Sequence, residues 1–466
     1  MEIPLLWDNI LIPGELSNYF LHNGISWNSV FHIPVDIDCG HPPFLSMYYT
    51  YFYSLPHLAQ FPFLAIGFYA LLRIASIVLK SRFEIALVLV LLIADTTVMA
   101  QATQAAYEWP MIALVLLALL EIIKRTTSAP IEKSAKLKAN WQFIRFCLYV
   151  VIIPLMQLRG IPAVLGLALA DYYFTTKQAQ AKFFTVKAIL PYLLSGLCCI
   201  AWYVLHYTQT GFWLIAPNST WANEPGGFVN LQQLVKNLAI SCWRLCDFGH
   251  LIYWLLIASL LLIGFRRKQI TPEIRKWMAL FFLLVLPSLL LFIVLNKPIC
   301  HRYYLLVYCL APIALVLLLQ NVPLQRWIKN SLLFSAIAIL ISGSFWVYPD
   351  KIATGWDSTL AYLPYFILRN EAFDYIKASE ATNQVIKSNE VAAHFPLCKP
   401  EVMTDQLVFY KSSFEITDID TAKNYKYILY SNICTAFTDE ELDSLKQKTI
   451  IKEWHSGQVK VILYKR

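Results

Sequence analysis

Residues 266–304 read RRKQITPEIRKWMALFFLLVLPSLLLFIVLNKPICHRYY, and this stretch decides the class of the molecule. Between Trp277 and Asn296 there is no charged residue. At about 1.5 Å per residue, a helix of this length crosses roughly 30 Å of hydrocarbon. Five cations stand before it: Arg266, Arg267, Lys268, Arg275 and Lys276. An apolar run with basic residues massed on one side is a membrane span whose basic end faces the cytoplasm.

Outward from this stretch the same unit recurs. The pattern predicts ten spans, at about 61–80, 83–100, 109–124, 141–158, 160–175, 188–207, 250–265, 277–296, 303–320 and 331–348. The composition agrees: 466 residues, 58% hydrophobic and 15% charged, with a mean hydropathy of +0.52. A soluble domain has about 25% charged residues. A single soluble enzyme domain, a disordered chain, a coiled coil and a small disulfide scaffold are excluded. The net charge of +8 does not imply a nucleic-acid partner, because the cations are confined to particular loops.

Alternate loops are basic: Lys80 and Arg82; Lys124 to Lys138; Lys177, Lys182 and Lys187; Arg266 to Lys276; Arg326 and Lys329. The opposite loops are nearly free of cations, and residues 1–60 contain no Lys or Arg. The predicted organisation is therefore an external acidic and aromatic segment (1–60), an all-α polytopic membrane domain of about ten spans (61–348) and a small extracytoplasmic α/β domain (349–466). External interfacial helices are expected near 43–55 and 229–246, the latter amphipathic. The opening MEIPLLW is too short for a signal peptide or a span. The expected reason is a start site set too late or a lost first helix.

In the tail about one residue in four is charged. Residues 364–379 read as a helix, and Thr438 with Glu441 as a capping box. KYILYS reads as a strand, and TIIKEW and VKVILY as a hairpin. Cys398 and Cys434 share this domain and could pair, which spacing alone does not decide. No cysteine or histidine spacing predicts a structural metal site.

The chemistry concentrates in the external segments. PVDIDCGHPPF contains Asp36, Asp38 and His41. A carboxylate above the bilayer can take a proton from an acceptor. Two carboxylates one residue apart can also hold a divalent cation, and His41 can donate to a phosphate. Asp95 lies within a span, where an ionisable residue is costly and lines a cavity by default. Glu108 stands at the mouth of the third span. His301 and Arg302 open an apolar helix, where arginine suits a lipid phosphate. In CWRLCDFGH, Arg244 is a second candidate phosphate ligand, or a local partner of Asp247 at i, i+3. Arg159, between two spans, reads as a headgroup contact.

Together these features resemble the type C glycosyltransferases, in the branch of the protein O-mannosyltransferases and the lipid A aminoarabinose transferases. Asp38-Cys39-Gly40-His41-Pro42-Pro43-Phe44 resembles the acidic first loop with its His-Pro-Pro motif. Ala100-Gln101-Ala102-Thr103 with Glu108-Trp109-Pro110 resembles a segment ending in acid, any residue and Pro, with Glu in place of the more frequent Asp. His301-Arg302-Tyr303-Tyr304 resembles the arginine-containing start of a late helix. The resemblance implies transfer of a sugar from a polyprenyl-phosphate carrier to a lipid, glycan or protein acceptor on the external face, with inversion. It makes Asp38 or Asp36 the base, with Arg302 and His301 holding the leaving phosphate. The usual first span is missing, and many relatives carry the acid well before His-Pro-Pro. Asp8 and Glu15 are therefore rival bases. A bacterial inner membrane is the expected location. A flippase for lipid-linked glycans and a non-catalytic scaffold are the rival readings, although no internal repeat of the kind frequent in transporters is present.

Overall fold

The computed structural model describes residues 14–34, 41–52, 56–104, 106–127, 133–178, 185–214, 227–295, 299–348, 358–381, 386–394, 397, 416–419, 425–433 and 437–466. Asp8, Asp36, Asp38, Cys398 and Cys434 lie outside the described residues.

Three short helices come first: α1 (Leu16–Asn23), α2 (Trp27–Phe31) and α3 (Phe44–Thr50). The bundle follows, with α4 (Pro56–Val78), α5 (Arg82–Ala94), α6 (Thr96–Ala102), α7 (Glu108–Thr127), α8 (Lys133–Met156) and α9 (Gly160–Tyr173). It continues through α10 (Val186–Thr210), α11 (Leu231–Cys246), α12 (Leu251–Arg266), α13 (Pro272–Val294), α14 (Leu305–Asn321) and α15 (Arg326–Ser342). Side chains set several starts. Ser81 and Glu84 form a capping box before α5, and Thr271 caps α13 with Pro272 in its first turn.

The expected spans fall largely on helix, although length and apolarity alone do not reach the count of about ten. Among the described residues five helices are long and apolar enough to cross a membrane, or up to seven if each bent pair is one span. Residues 83–100 are not one rod: α5 and α6 meet at 74°. The break is at Asp95, which ends α5 and caps α6 through the Thr97 and Val98 amides. The α11–α12 pair bends by 91°, where Phe248 (φ 50°) and Gly249 (φ 89°) take left-handed conformations that end a helix. Hydropathy measures apolar length and is blind to such bends.

The centre of the bundle is α14. In the span His301–Asn321 the apolar window is 83% buried, against 17% for the span containing α15. A helix apolar all round belongs inside other helices, whereas one with an exposed apolar face meets lipid. Helices α9 and α13 approach so closely that a Cβ at Gly166 would overlap the Leu284 carbonyl.

The C-terminal part adds α16 (Pro364–Ala381), β1 (Val391–Ala393), β2 (Thr417–Asp418), β3 (Tyr427–Ser431), α17 (Asp439–Leu445), β4 (Thr449–Ser456) and β5 (Val459–Lys465). The sheet order is β2-β1-β3-β5-β4. The expected helix, capping box, strand and antiparallel hairpin are all present. The parallel pairs of β1 with β2 and β3 were not foreseen. One apolar core runs from Leu45 and Tyr49 of α3, through Ala100 and Tyr107, to Tyr365 of α16 and Val461 of β5. The early segment, the ends of α6 and α7, and the C-terminal part therefore share one end of the bundle. Arg82 begins α5, about 20 Å from Asp95 at 1.5 Å per residue, at the other end.

Candidate functional site

Two charged clusters flank the short 3₁₀ turn His301–Tyr304 that leads into α14. On one side Arg302 reaches Glu108, with Nε 3.5 Å from Oε1. Arg159 reaches the same carboxylate oxygen at 2.9 Å and lies over the Tyr303 ring at 4.0 Å. Glu108 is 3% exposed. A carboxylate this deep is tolerable only because guanidiniums converge on it. The cluster heads a cleft lined otherwise mostly by apolar side chains, among them Ile112, Val115, Leu289, Phe292 and Val307. Helices α7, α9, α13 and α14 form its walls.

On the other side His301 turns to Asp247, with Nε2 3.0 Å from Oδ2. The same carboxylate oxygen accepts from Tyr348. The Tyr348 hydroxyl in turn accepts from Arg244 Nη1 at 2.8 Å, and Arg244 Nε donates to the Ile299 carbonyl at 3.2 Å. The expected pairing of Arg244 with Asp247 is thus realised through a hydroxyl from a distant part of the chain.

Asp95 and His250 lie behind this cluster, both wholly buried. His250 Nε2 is 3.0 Å from each Asp95 carboxylate oxygen. His250 Nδ1 is 2.6 Å from the Asp247 carbonyl, and the ring stacks on Tyr308 at 4.0 Å.

His41 lies edge-on to Tyr107, the neighbour of Glu108, with ring centroids 5.8 Å apart. The Tyr107 hydroxyl meets Ser46 at 3.1 Å. In α3, burial, then the neighbouring Tyr48 and Glu108, push the Tyr49 hydroxyl far above the ordinary tyrosine range. It stays protonated and donates to Gln60 Oε1 at 2.7 Å. Glu15 opens α1 and is half-buried. That helix packs on α3, where the Ser17 hydroxyl donates to the Ser46 carbonyl at 2.9 Å.

Of the residues singled out in the sequence, Glu108, Arg244, His301 and Arg302 converge on one turn, and His41 joins them through Tyr107. Glu15 stands one helix further out. Arg159 proves to be a partner of Glu108 rather than a bare headgroup contact. Sequence reasoning missed His250 and Tyr348. His250 pairs across 155 positions, and Tyr348 reaches Asp247 across 101. Neither had a motif that could have found it. Among the described residues no group of three or more His, Cys, Asp or Glu side chains could hold a metal ion; Asp36 and Asp38 fall outside that set.

No protein-family model matches the sequence, and neither does any curated protein. Solved structures do. The chain resembles the crystal structure of ArnT from Cupriavidus metallidurans bound to undecaprenyl phosphate, with 11% identity and a TM-score of 0.52 over 99% of this chain and 94% of that one. It resembles the apo state of the same protein with 12% identity and a TM-score of 0.50, over 100% and 94%. At this identity the likeness is one of fold. The fold that the sequence resemblance implied is thus the fold observed, over the whole chain.

Proposed function

We propose that this chain is an integral membrane glycosyltransferase that moves a sugar from a polyprenyl-phosphate carrier to a lipid, glycan or protein acceptor. The observation that carries the reading is the Arg159–Glu108–Arg302 cluster at the head of an apolar cleft. Guanidiniums suit a phosphate, and a cleft walled by membrane helices suits an isoprenoid tail. That the similar ArnT binds undecaprenyl phosphate supports the same choice.

In the proposed reaction the acceptor's oxygen or nitrogen attacks the anomeric carbon from the face opposite the phosphate. The bond from that carbon to the phosphate oxygen breaks, so the configuration inverts. The acceptor's proton passes to a carboxylate. Asp38 and Asp36 are the first candidates, with Asp8 and Glu15 as rivals. Negative charge develops on the departing phosphate, and Arg302, with Arg244 and His301 beside it, stabilises that charge in a dry site. Such preorganised stabilisation is usually the largest catalytic contribution. His41 donates to the donor's phosphate. A divalent cation at Asp36 and Asp38 belongs to the proposal as an option that chelation tests.

The proposed topology has ten crossings, residues 1–60 and 349–466 lying outside the cytoplasm and the span domain 61–348 in a bacterial inner membrane. The basic loops support this orientation. Purified protein in lipid, given radiolabelled polyprenyl-phosphate sugars and candidate acceptors, tests the function. Turnover by the wild type that Asp38→Asn and Arg302→Ala abolish supports it. Lipid translocation without bond cleavage would favour the flippase.

A further inference from the structure

We infer that Asp95 and His250 are positioning residues for this reaction, a buried pair that locks two broken helices together and thereby aims the phosphate-binding side chains. The inference rests on the proposed transferase reading. Its starting point is that the two sharp breaks in the bundle, at Asp95 and at 247–250, face each other. A helix break frees backbone groups and costs stability unless something satisfies them.

Asp95 satisfies the first break. One carboxylate oxygen accepts from the Thr97 and Val98 amides, both at 3.0 Å, and both oxygens face His250. His250 satisfies the second. Its Nε2 faces the Asp95 carboxylate and its Nδ1 faces a backbone carbonyl, so one ring bridges both breaks. The carbonyl it holds belongs to Asp247, whose carboxylate in turn holds Tyr348 and His301. Tyr348 holds Arg244, and His301 precedes Arg302 on the same turn.

The chain of contacts extends the other way to the C-terminal domain. The Thr97 hydroxyl donates to the Ser358 carbonyl at 2.8 Å, and the Leu360 amide donates to Thr96 at 3.0 Å. The short helix that Asp95 caps is therefore fixed at one side by Ser358 and Leu360 and at the other by His250. Misplacement of catalytic groups by about 1 Å can cost about 100-fold in rate.

Asp95→Asn separates capping from pairing, because Asn caps a helix as well as Asp does. His250→Gln removes the ring that bridges the two breaks. The experiment measures kcat and KM for a polyprenyl-phosphate sugar on the folded, monodisperse fraction of each variant and of the double variant, together with thermal stability. Arg302 and Arg244 keep their charge, so the expected result is kcat 10- to 100-fold lower with KM changed less than about threefold. The double variant should be no worse than the poorer single, as for residues acting as one unit. Unchanged kcat, or a fall in stability alone with kcat per folded molecule intact, overturns the inference. So do single losses that multiply. If the wild type consumes none of the donors, the transferase reading falls and this inference with it; an active wild type with unimpaired variants removes the inference alone.

Discussion

The bundle buries acids against cations at both ends, and the two ends differ. At the basic-loop end Asp171 is held by Arg125 at 3.0 Å, by Tyr192 at 2.9 Å and by Thr175 at 3.2 Å. Glu121 is paired with Arg145 at 3.1 Å and Lys124 at 3.6 Å. These contacts tie neighbouring helices, and the cations lie partly exposed. At the other end Arg159 and Arg302, both more deeply buried, converge on the one carboxylate of Glu108 above an apolar cleft. The same residue types make a fastening where half-exposed cations tie helix to helix, and the phosphate receptor proposed above where buried guanidiniums stand at a cavity mouth.

The largest effect is expected from Arg302→Ala. It removes the guanidinium proposed to hold the departing phosphate and should lower turnover by about 100-fold or more, read as donor consumed per folded molecule. Next comes Arg159→Ala, with turnover about tenfold lower and a raised KM, because Arg159 supports the same acid from the far wall. If Arg159→Ala outweighed Arg302→Ala, the phosphate would sit on the other side of Glu108.

What was legible in the sequence follows the same division. Apolar length and basic loops located the long apolar helices of the bundle, since both are local properties. The hairpin at Thr449–Lys465 and the Thr438 capping box were legible for the same reason. Candidate residues next to helix starts, Glu108 and His301-Arg302, were found because a charge beside an apolar run is conspicuous. The partners were not. Asp95 was visible as a buried charge, but the 74° bend it makes and its union with His250 depend on contacts across 155 positions. The parallel strands β1 and β2 are too short to show alternation.

Smaller effects sharpen the contrast from the fastening end. Asp171→Asn should cost about 2 kcal/mol of stability, less than the roughly 3–5 kcal/mol of a fully buried broken pair, because Arg125 is partly exposed. Turnover per folded molecule should be unchanged, and thermal unfolding beside the activity assay checks both. Arg145→Ala should cost under about 1 kcal/mol, as its side chain is 46% exposed. Loss of turnover in either variant without loss of stability would erase the distinction between the two ends.

The most direct measurement is the affinity of nanodisc-embedded protein for undecaprenyl phosphate, compared between wild type, Arg302→Ala and Asp171→Asn. The account predicts binding by the wild type, binding weakened about tenfold or more in Arg302→Ala, and wild-type binding in Asp171→Asn. Equal affinity in wild type and Arg302→Ala would contradict it, because the phosphate would then be held somewhere other than the Arg159–Glu108–Arg302 cluster.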